Sequence, residues 1–196
     1  MSKWVVCGSG PSLSGTDFSL LRSFRSWNVL AINCAWQWVP WARAMYAGDL
    51  PWWTQYGYKA QAFAGEKWTR DKLAAARYGL RRVLWVEREG LSGVPHCITR
   101  GGNSGYQGVH LAYTEYQATR IVLLGFDMHL RNGTHCHGDH PPGMLNAPAH
   151  HVPVWRQKFR ALADDLKAEG VSLVNATPGT ALTCMQCMPL RDALRC

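Results

Sequence analysis

Apolar residues fall in short unbroken runs, and these alternate with stretches of helical spacing. Residues 4–6, 28–32, 44–47, 81–87, 120–125 and 171–174 read as strands. The run Ile121-Val122-Leu123-Leu124 shows no alternation, as expected of a central parallel strand covered on both faces. Phe18, Leu20, Leu21 and Phe24 recur at helical spacing within 17–24, behind Thr16 as a candidate cap. Further helices are expected over 51–58, over 69–78 (capped by Thr69 and closed by Gly79), over 106–117, and over 153–169, with Pro153 in its first turn and Gly170 at its end. Residues 36–41 are aromatic and irregular, 88–100 form a connection, and 189–194 suit a final helical turn. Strands and helices alternate without repeat, linker or low-complexity stretch. The pattern predicts one domain over 1–196, an α/β Rossmann-like fold with a mainly parallel sheet between helix layers. One stretch breaks the pattern. Residues 129–151 hold His129, His135, His137, His140, His150 and His151 among glycines and prolines, and read as a loop or lid.

Polar residues follow the strands at regular places. The first strand runs into Gly8-Ser9-Gly10-Pro11-Ser12-Leu13, where two glycines permit a sharp turn and Pro11 ends ladder pairing. Asn33 and Asp49 stand just past the second and third strands, Asp127 just past the strand at 120–125, and Thr177 after the last. In a parallel sheet that rim is where ligands bind. Asx-turn chemistry is the plain alternative for Asn33 and Asp49, and a tight corner without a ligand for the glycine turn. Gly101-Gly102-Asn103-Ser104-Gly105 opens a helix whose first amides suit an anion or a nucleotide hydroxyl. The glycine spacing is neither G-x-G-x-x-G nor a P-loop, which argues against a Walker-type hydrolase.

Composition narrows the classes. At 196 residues with 47% hydrophobic and 17% charged content, the chain is globular and long enough for a full core. No apolar run reaches the length of a membrane span. Met1-Ser2-Lys3 leads straight into a strand, so no export signal is expected, and the seven cysteines are read as reduced thiols of a cytoplasmic protein. A net charge of +8 suits an anionic substrate or nucleic acid. Ten tryptophans, crowded in the first third, are expected to pack the core and lid in preference to stacking on bases.

Gly8-Ser9-Gly10-Pro11-Ser12-Leu13 resembles the G-[NS]-G-P-S-L signature of the bacterial sialyltransferases of glycosyltransferase family 42. It is similar also to the related domain-of-unknown-function 115 group, which includes archaeal pterin diphosphokinases and many phage proteins. Asn33 and Asp49 fall where that family has polar residues after its second and third strands. Asn103-Ser104-Gly105 followed by Ile121-Val122-Leu123-Leu124-Gly125-Phe126-Asp127 is similar to its T-S-G…I-x-L-x-G-x-D segment. Asn175-Ala176-Thr177-Pro178-Gly179-Thr180 resembles its closing strand and turn. These pieces cover most of the chain in order.

The resemblance implies a transferase, most simply a glycosyltransferase with a CMP-sugar-like donor and a hydroxyl acceptor. Gly8, Ser9, Gly10, Pro11, Ser12, Asn103, Ser104 and Gly105 would then hold phosphate and ribose, with Asn33, Asp49, Asp127 and Thr177 around the donor. The family's histidine base, ahead of the late helix, corresponds to His151 or His150, with His140 in reserve. Its tyrosine that assists the departing phosphate is replaced by His129. Histidine suits proton transfer near neutral pH. The expectation is a nucleotide-sugar substrate, no permanently bound cofactor or metal, and a glycan, small molecule or nucleic acid as acceptor, with a homo-oligomer possible. Three alternatives stay open. One is ATP-dependent diphosphate transfer, with magnesium on Asp49, Asp127 and Asp139. Another is a basic nucleic-acid-binding or nucleic-acid-modifying protein. The third is a metal site built from the histidine loop, alone or with Cys184 and Cys187 as a two-cysteine, two-histidine zinc centre.

Overall fold

The computed structural model describes residues 2–195. The chain runs β1 (Ser2–Cys7), α1 (Phe18–Ser23), β2 (Asn28–Ile32), β3 (Ala44–Tyr46), α2 (Leu50–Ala60), β4 (Glu66–Thr69), α3 (Lys72–Tyr78), β5 (Arg81–Arg82), β6 (Leu84–Val86), β7 (Cys97–Thr99), α4 (Ser104–Thr114), β8 (Ala118–Leu124), α5 (His151–Ala168), β9 (Ser172–Asn175), β10 (Gln186–Cys187) and α6 (Leu190–Arg195). The main sheet has the order β10-β9-β8-β1-β2-β3-β4-β5, and its neighbours all pair in parallel. β6 and β7 form a separate two-stranded sheet.

Alternate side chains of each central strand point to opposite faces, and both faces are covered. Trp4 and Val6 of β1 join Ile121 and Leu123 of β8 beneath Val109 of α4 and Phe159, Leu162 and Leu166 of α5. Val5, Cys7, Val122 and Leu124 face the other layer, with Leu21 of α1, Trp52 and Trp53 of α2 and Leu194 of α6. This is why the strands read as unbroken apolar runs. Trp4, Trp27, Trp52, Trp53 and Trp68 are buried, in agreement with the packing role expected of the tryptophans.

The α/β architecture is as expected, with local differences. The caps of α1 and α3 are Asp17 and Asp71, one and two residues beyond the expected Thr16 and Thr69. Each carboxylate accepts two helix amides: Ser19 and Leu20 for Asp17, Leu73 and Ala74 for Asp71. Residues 81–87 are not one strand. Val83 is buried between exposed neighbours, and there the chain leaves the main sheet at β5 and starts the small one at β6. The short strands β4, β7 and β10 were not legible, since a few residues of mixed polarity carry no period. α5 begins at His151, ahead of Pro153. Cys7, Cys34, Cys97, Cys136, Cys184 and Cys187 are all free thiols. Among the described residues no helix is long and apolar enough to cross a membrane.

One feature of the topology places the site. From β1 the chain steps outward through β2, β3, β4 and β5, then returns to pair β8 with the other side of β1. Between the carboxyl ends of β1 and β8 the connections diverge, which opens a crevice.

Candidate active site

A cleft of about 670 Å³ opens at this crevice. Gly8, Ser9, Gly10, Pro11, Asn33, Asp49, Asn103, Ser104, Gly105, Asp127, His129, His140 and His151 all line it, from widely separated stretches of the chain. Three of the residues expected here do not. Ser12 lies behind the cleft, His150 is exposed outside it, and Thr177 is buried under it.

The glycine turn is built to fit the end of β8. The amides of Gly8 and Gly10 donate to the carbonyls of Leu124 (2.7 Å) and Gly125 (2.9 Å). A Cβ on Gly10 would sit 2.1 Å from Asp127 Oδ2 and 2.6 Å from the Gly125 carbonyl. Ser12 donates to Asp127 twice, from its amide to Oδ1 (3.1 Å) and from its hydroxyl to Oδ2 (2.8 Å). Leu13 N–H donates to the Gly10 carbonyl (3.0 Å). The amides of Gly8, Gly10, Ser12 and Leu13 are therefore spent inside the protein and offer nothing to a phosphate. These glycines are required by the close approach of two turns. Ser12 and Asp127 act as the rivet between them. Thr177 is a second rivet, its hydroxyl accepting from the Phe126 amide at 2.9 Å.

Free donors are found at another stretch of the cleft lining. α4 starts at Ser104, and the Asn103 side chain caps it by accepting from the Tyr106 amide (2.9 Å). The first amides of a helix have no partner within it, and the helix dipole adds partial positive charge there. Asn103 Nδ2 is buried without a hydrogen-bond partner. A buried amide group without a partner at the wall of a cleft is a donor waiting for an acceptor. Asn33 follows β2 directly in a left-handed conformation (φ 50°), which an asparagine accepts more readily than most residues. Met128, also lining the cleft, holds φ 52° with no such excuse, a local strain of the kind that collects at functional sites. Asp49 reaches the cleft paired with Arg70, so its carboxylate is already neutralised on one side.

The histidines divide into distinct environments. His151 opens α5, lines the cleft and has no side-chain hydrogen bond among the described residues. Its ring lies 4.4 Å from that of His150 and 5.9 Å from Trp155. His129 donates from Nε2 to the Gly179 carbonyl (3.1 Å), which leaves Nδ1 as the acceptor, buried and without a partner. His135, His137 and His140 cluster, with ring centroids 4.6–5.0 Å apart. Burial, and secondarily repulsion from His140 and His137, pushes the His135 pKa down to about 4. Burial lowers His137 and His140 as well, with Asp139 partly offsetting the shift at His140. At all three, burial favours the neutral form. The loop carrying them is pinned to the glycine turn by the Cys136 amide, which donates to the Ser9 carbonyl at 2.8 Å. The rest of the loop, Gly143 to Pro148, passes over the cleft with Leu145 almost fully exposed.

Metal-ligating atoms converge at one place among the described residues, the His135, His137 and His140 cluster. The two-cysteine, two-histidine centre is not assembled, because Cys184 and Cys187 are not part of that group. Cys187 Sγ instead faces the carbonyls of Leu182 and Met185. Asp49, Asp127 and Asp139 do not converge either. Asp49 pairs with Arg70, Asp127 accepts from Ser12, and Asp139 accepts from Thr134. Sequence reasoning missed the orphaned Asn103 Nδ2, the strained Met128 and the roof residue Leu145. No residue pattern could have exposed them, since burial and backbone angle are tertiary properties.

No protein-family model matches the chain, and no curated protein matches it. Among solved structures, the MAf glycosyltransferase from Magnetospirillum magneticum AMB-1 has a similar fold. The TM-score is 0.65 at 13% identity, over 96% of this chain. The chain spans about a third, 34%, of that larger protein. At this identity the likeness is one of fold alone.

Proposed function

We propose that this chain is a glycosyltransferase-type domain that binds a nucleotide-activated sugar in the cleft and transfers the sugar to a hydroxyl. The observation that carries the reading is the cleft itself. Unspent donors at the start of α4, a strained rim and an unencumbered histidine meet at the crevice where the sheet changes direction. The phosphate goes to the first amides of α4 and to Asn103 Nδ2, with the glycine turn as a rigid wall. Asn33 and the Asp49–Arg70 pair stand at the side where ribose or sugar hydroxyls need partners. His151 takes the acceptor proton as the hydroxyl attacks the sugar carbon, and the nucleotide leaves with the bonding electrons. His129, held in one tautomer by Gly179, lies beside the leaving group. The structural likeness to a glycosyltransferase supports this reading at the level of fold, and the sequence resemblance favours a cytidine nucleotide.

Calorimetric titration with CMP, CMP-sugars, nucleoside diphosphate sugars and ATP tests it. Binding of a cytidine nucleotide or nucleotide sugar is expected. Binding of ATP alone, or of no nucleotide, overturns the reading. Asn103→Asp preserves a capping oxygen while removing the buried donor. It should weaken binding by roughly tenfold without unfolding α4.

A second observation bears on the acceptor. Trp85 is partly exposed, with Arg70, the partner of the cleft residue Asp49, and Arg100 over its ring at 5.4 and 5.8 Å. Arg81 and Arg82 lie exposed on the edge strand β5. An aromatic face between guanidinium groups is a platform for a nucleobase. It favours a nucleic-acid acceptor, and salt-sensitive binding of an oligonucleotide that falls in Trp85→Ala is the expected result.

A further inference from the structure

We propose that His135, His137 and His140 form a binding site for one divalent ion of the zinc class. The three imidazoles offer ligand atoms that all lie within 4.8 Å of one another. In a tetrahedral site with Zn–N bonds of about 2.0–2.1 Å, nitrogens stand about 3.3 Å apart. Closing the gap takes small side-chain and loop adjustments and leaves the sheet undisturbed. Three neutral imidazoles suit zinc and its neighbours in the transition series, whereas magnesium and calcium take oxygen ligands.

The surroundings select which nitrogen of each ring remains for the ion. His140 Nδ1 lies 2.9 Å from Tyr56 Oη, on α2, and His135 Nδ1 lies 3.4 Å from Ser9 Oγ, in the glycine turn. A metal-bound histidine characteristically gives its second ring nitrogen to such a partner, which fixes the tautomer and aims the ring. The Nε2 atoms of His135 and His140 are what remain. His137 Nε2 is buried with no hydrogen-bond partner at all, a cost that coordination would remove.

Cys136 sits between two of the ligands in sequence, but its side chain packs against the apolar core, and it is not among the converging groups. No fourth protein ligand joins the group among the described residues, so the fourth position belongs to water or to an oxygen of a ligand. His135 and His140 also line the cleft, which puts the ion at its wall. The ion would clamp the loop to both β1 and α2, since Ser9 follows the one and Tyr56 belongs to the other. This site stands apart from the nucleotide contacts, and its test does not depend on them.

The test uses the full chain, purified without a polyhistidine tag and stripped with a chelator. Calorimetry with zinc should give about one site per chain. His137→Ala should abolish it, and Tyr56→Phe should weaken it by about 10–100-fold, the usual effect of losing an outer partner. Cys184→Ser and Cys187→Ser should bind like the parent. Circular dichroism without metal checks that each variant is folded. If His137→Ala is misfolded, the cobalt-loaded parent decides alone: it should show tetrahedral visible bands and no thiolate charge-transfer band. Absence of stoichiometric zinc, unchanged affinity in a folded His137→Ala, loss in Cys184→Ser, or a thiolate band each overturns the proposal.

Discussion

The two walls of the cleft obey opposite rules. On one side, the glycine turn and the end of β8 leave almost nothing unpaired. The amides of Gly8, Gly10, Ser12 and Leu13, the Ser12 hydroxyl and the Asp127 carboxylate are all consumed in holding two turns together. By contrast, the histidine loop and the start of α4 carry buried polar atoms with no partner: Asn103 Nδ2, His129 Nδ1 and His137 Nε2. A buried polar atom without a partner costs about 1–3 kcal/mol, and is kept where something else is meant to meet it. The satisfied wall is scaffold and the unsatisfied wall is where ligands belong. Thus the most recognisable motif of the chain frames the site more than it binds in it.

The largest expected effect tests the unsatisfied wall. His151→Ala should lower turnover by roughly 10²–10⁴-fold while leaving donor affinity nearly unchanged, because the base acts on the acceptor. His150→Ala, outside the cleft, should leave both close to the parent. Steady-state kinetics and donor titration on the two variants check this. Equal losses in both would erase the distinction between them.

Acid tests the scaffold. His110 of α4 is buried, and its Nδ1 accepts from the Thr99 amide at 3.1 Å. Burial pushes its pKa down from 6.5 to about 4, with Asp165 opposing weakly. The unfolded chain takes up a proton between those values that the folded chain refuses. The stability from this group is therefore full above pH 6.5 and is lost as pH falls toward 4, on the order of 3 kcal/mol in total. Denaturant unfolding at pH 7 and pH 5 should show this fall, and His110→Gln should remove its share and make the slope shallower, leaving the part that the buried His135, His137 and His140 contribute. An identical slope in the variant would remove His110 from the account.

Smaller still is the contrast between two glycines. Gly10→Ala drives a methyl into Asp127 and the Gly125 carbonyl and should cost about 1–3 kcal/mol, read as a lowered Tm. Gly138→Ala in the loop meets open space, and its φ of 83° is the only objection. It should cost about 1 kcal/mol. Similar losses at both positions would mean that the loop is as tightly held as the turn.

Sequence by itself determined the layers. Runs such as Ile121 to Leu124, apolar at every position, have no stable home except a parallel strand covered on both faces, and the alternation with helices follows. It also determined which polar residues end the strands, because side chains just past a strand's carboxyl end must reach the rim of the sheet. Tertiary structure alone decided what each of those residues does. Asp127, Thr177 and Asn103 are all polar residues at the same rim, yet the first two accept from Ser12 and Phe126, and Asn103 keeps a free donor. Likewise only packing sorted the loop's histidines, with His135, His137 and His140 drawn together by Ser9 and Tyr56 and His151 left alone. Residue type sets what a group can offer. Whether the offer is already taken depends on neighbours more than forty residues away in the chain, and that is settled only when the chain folds.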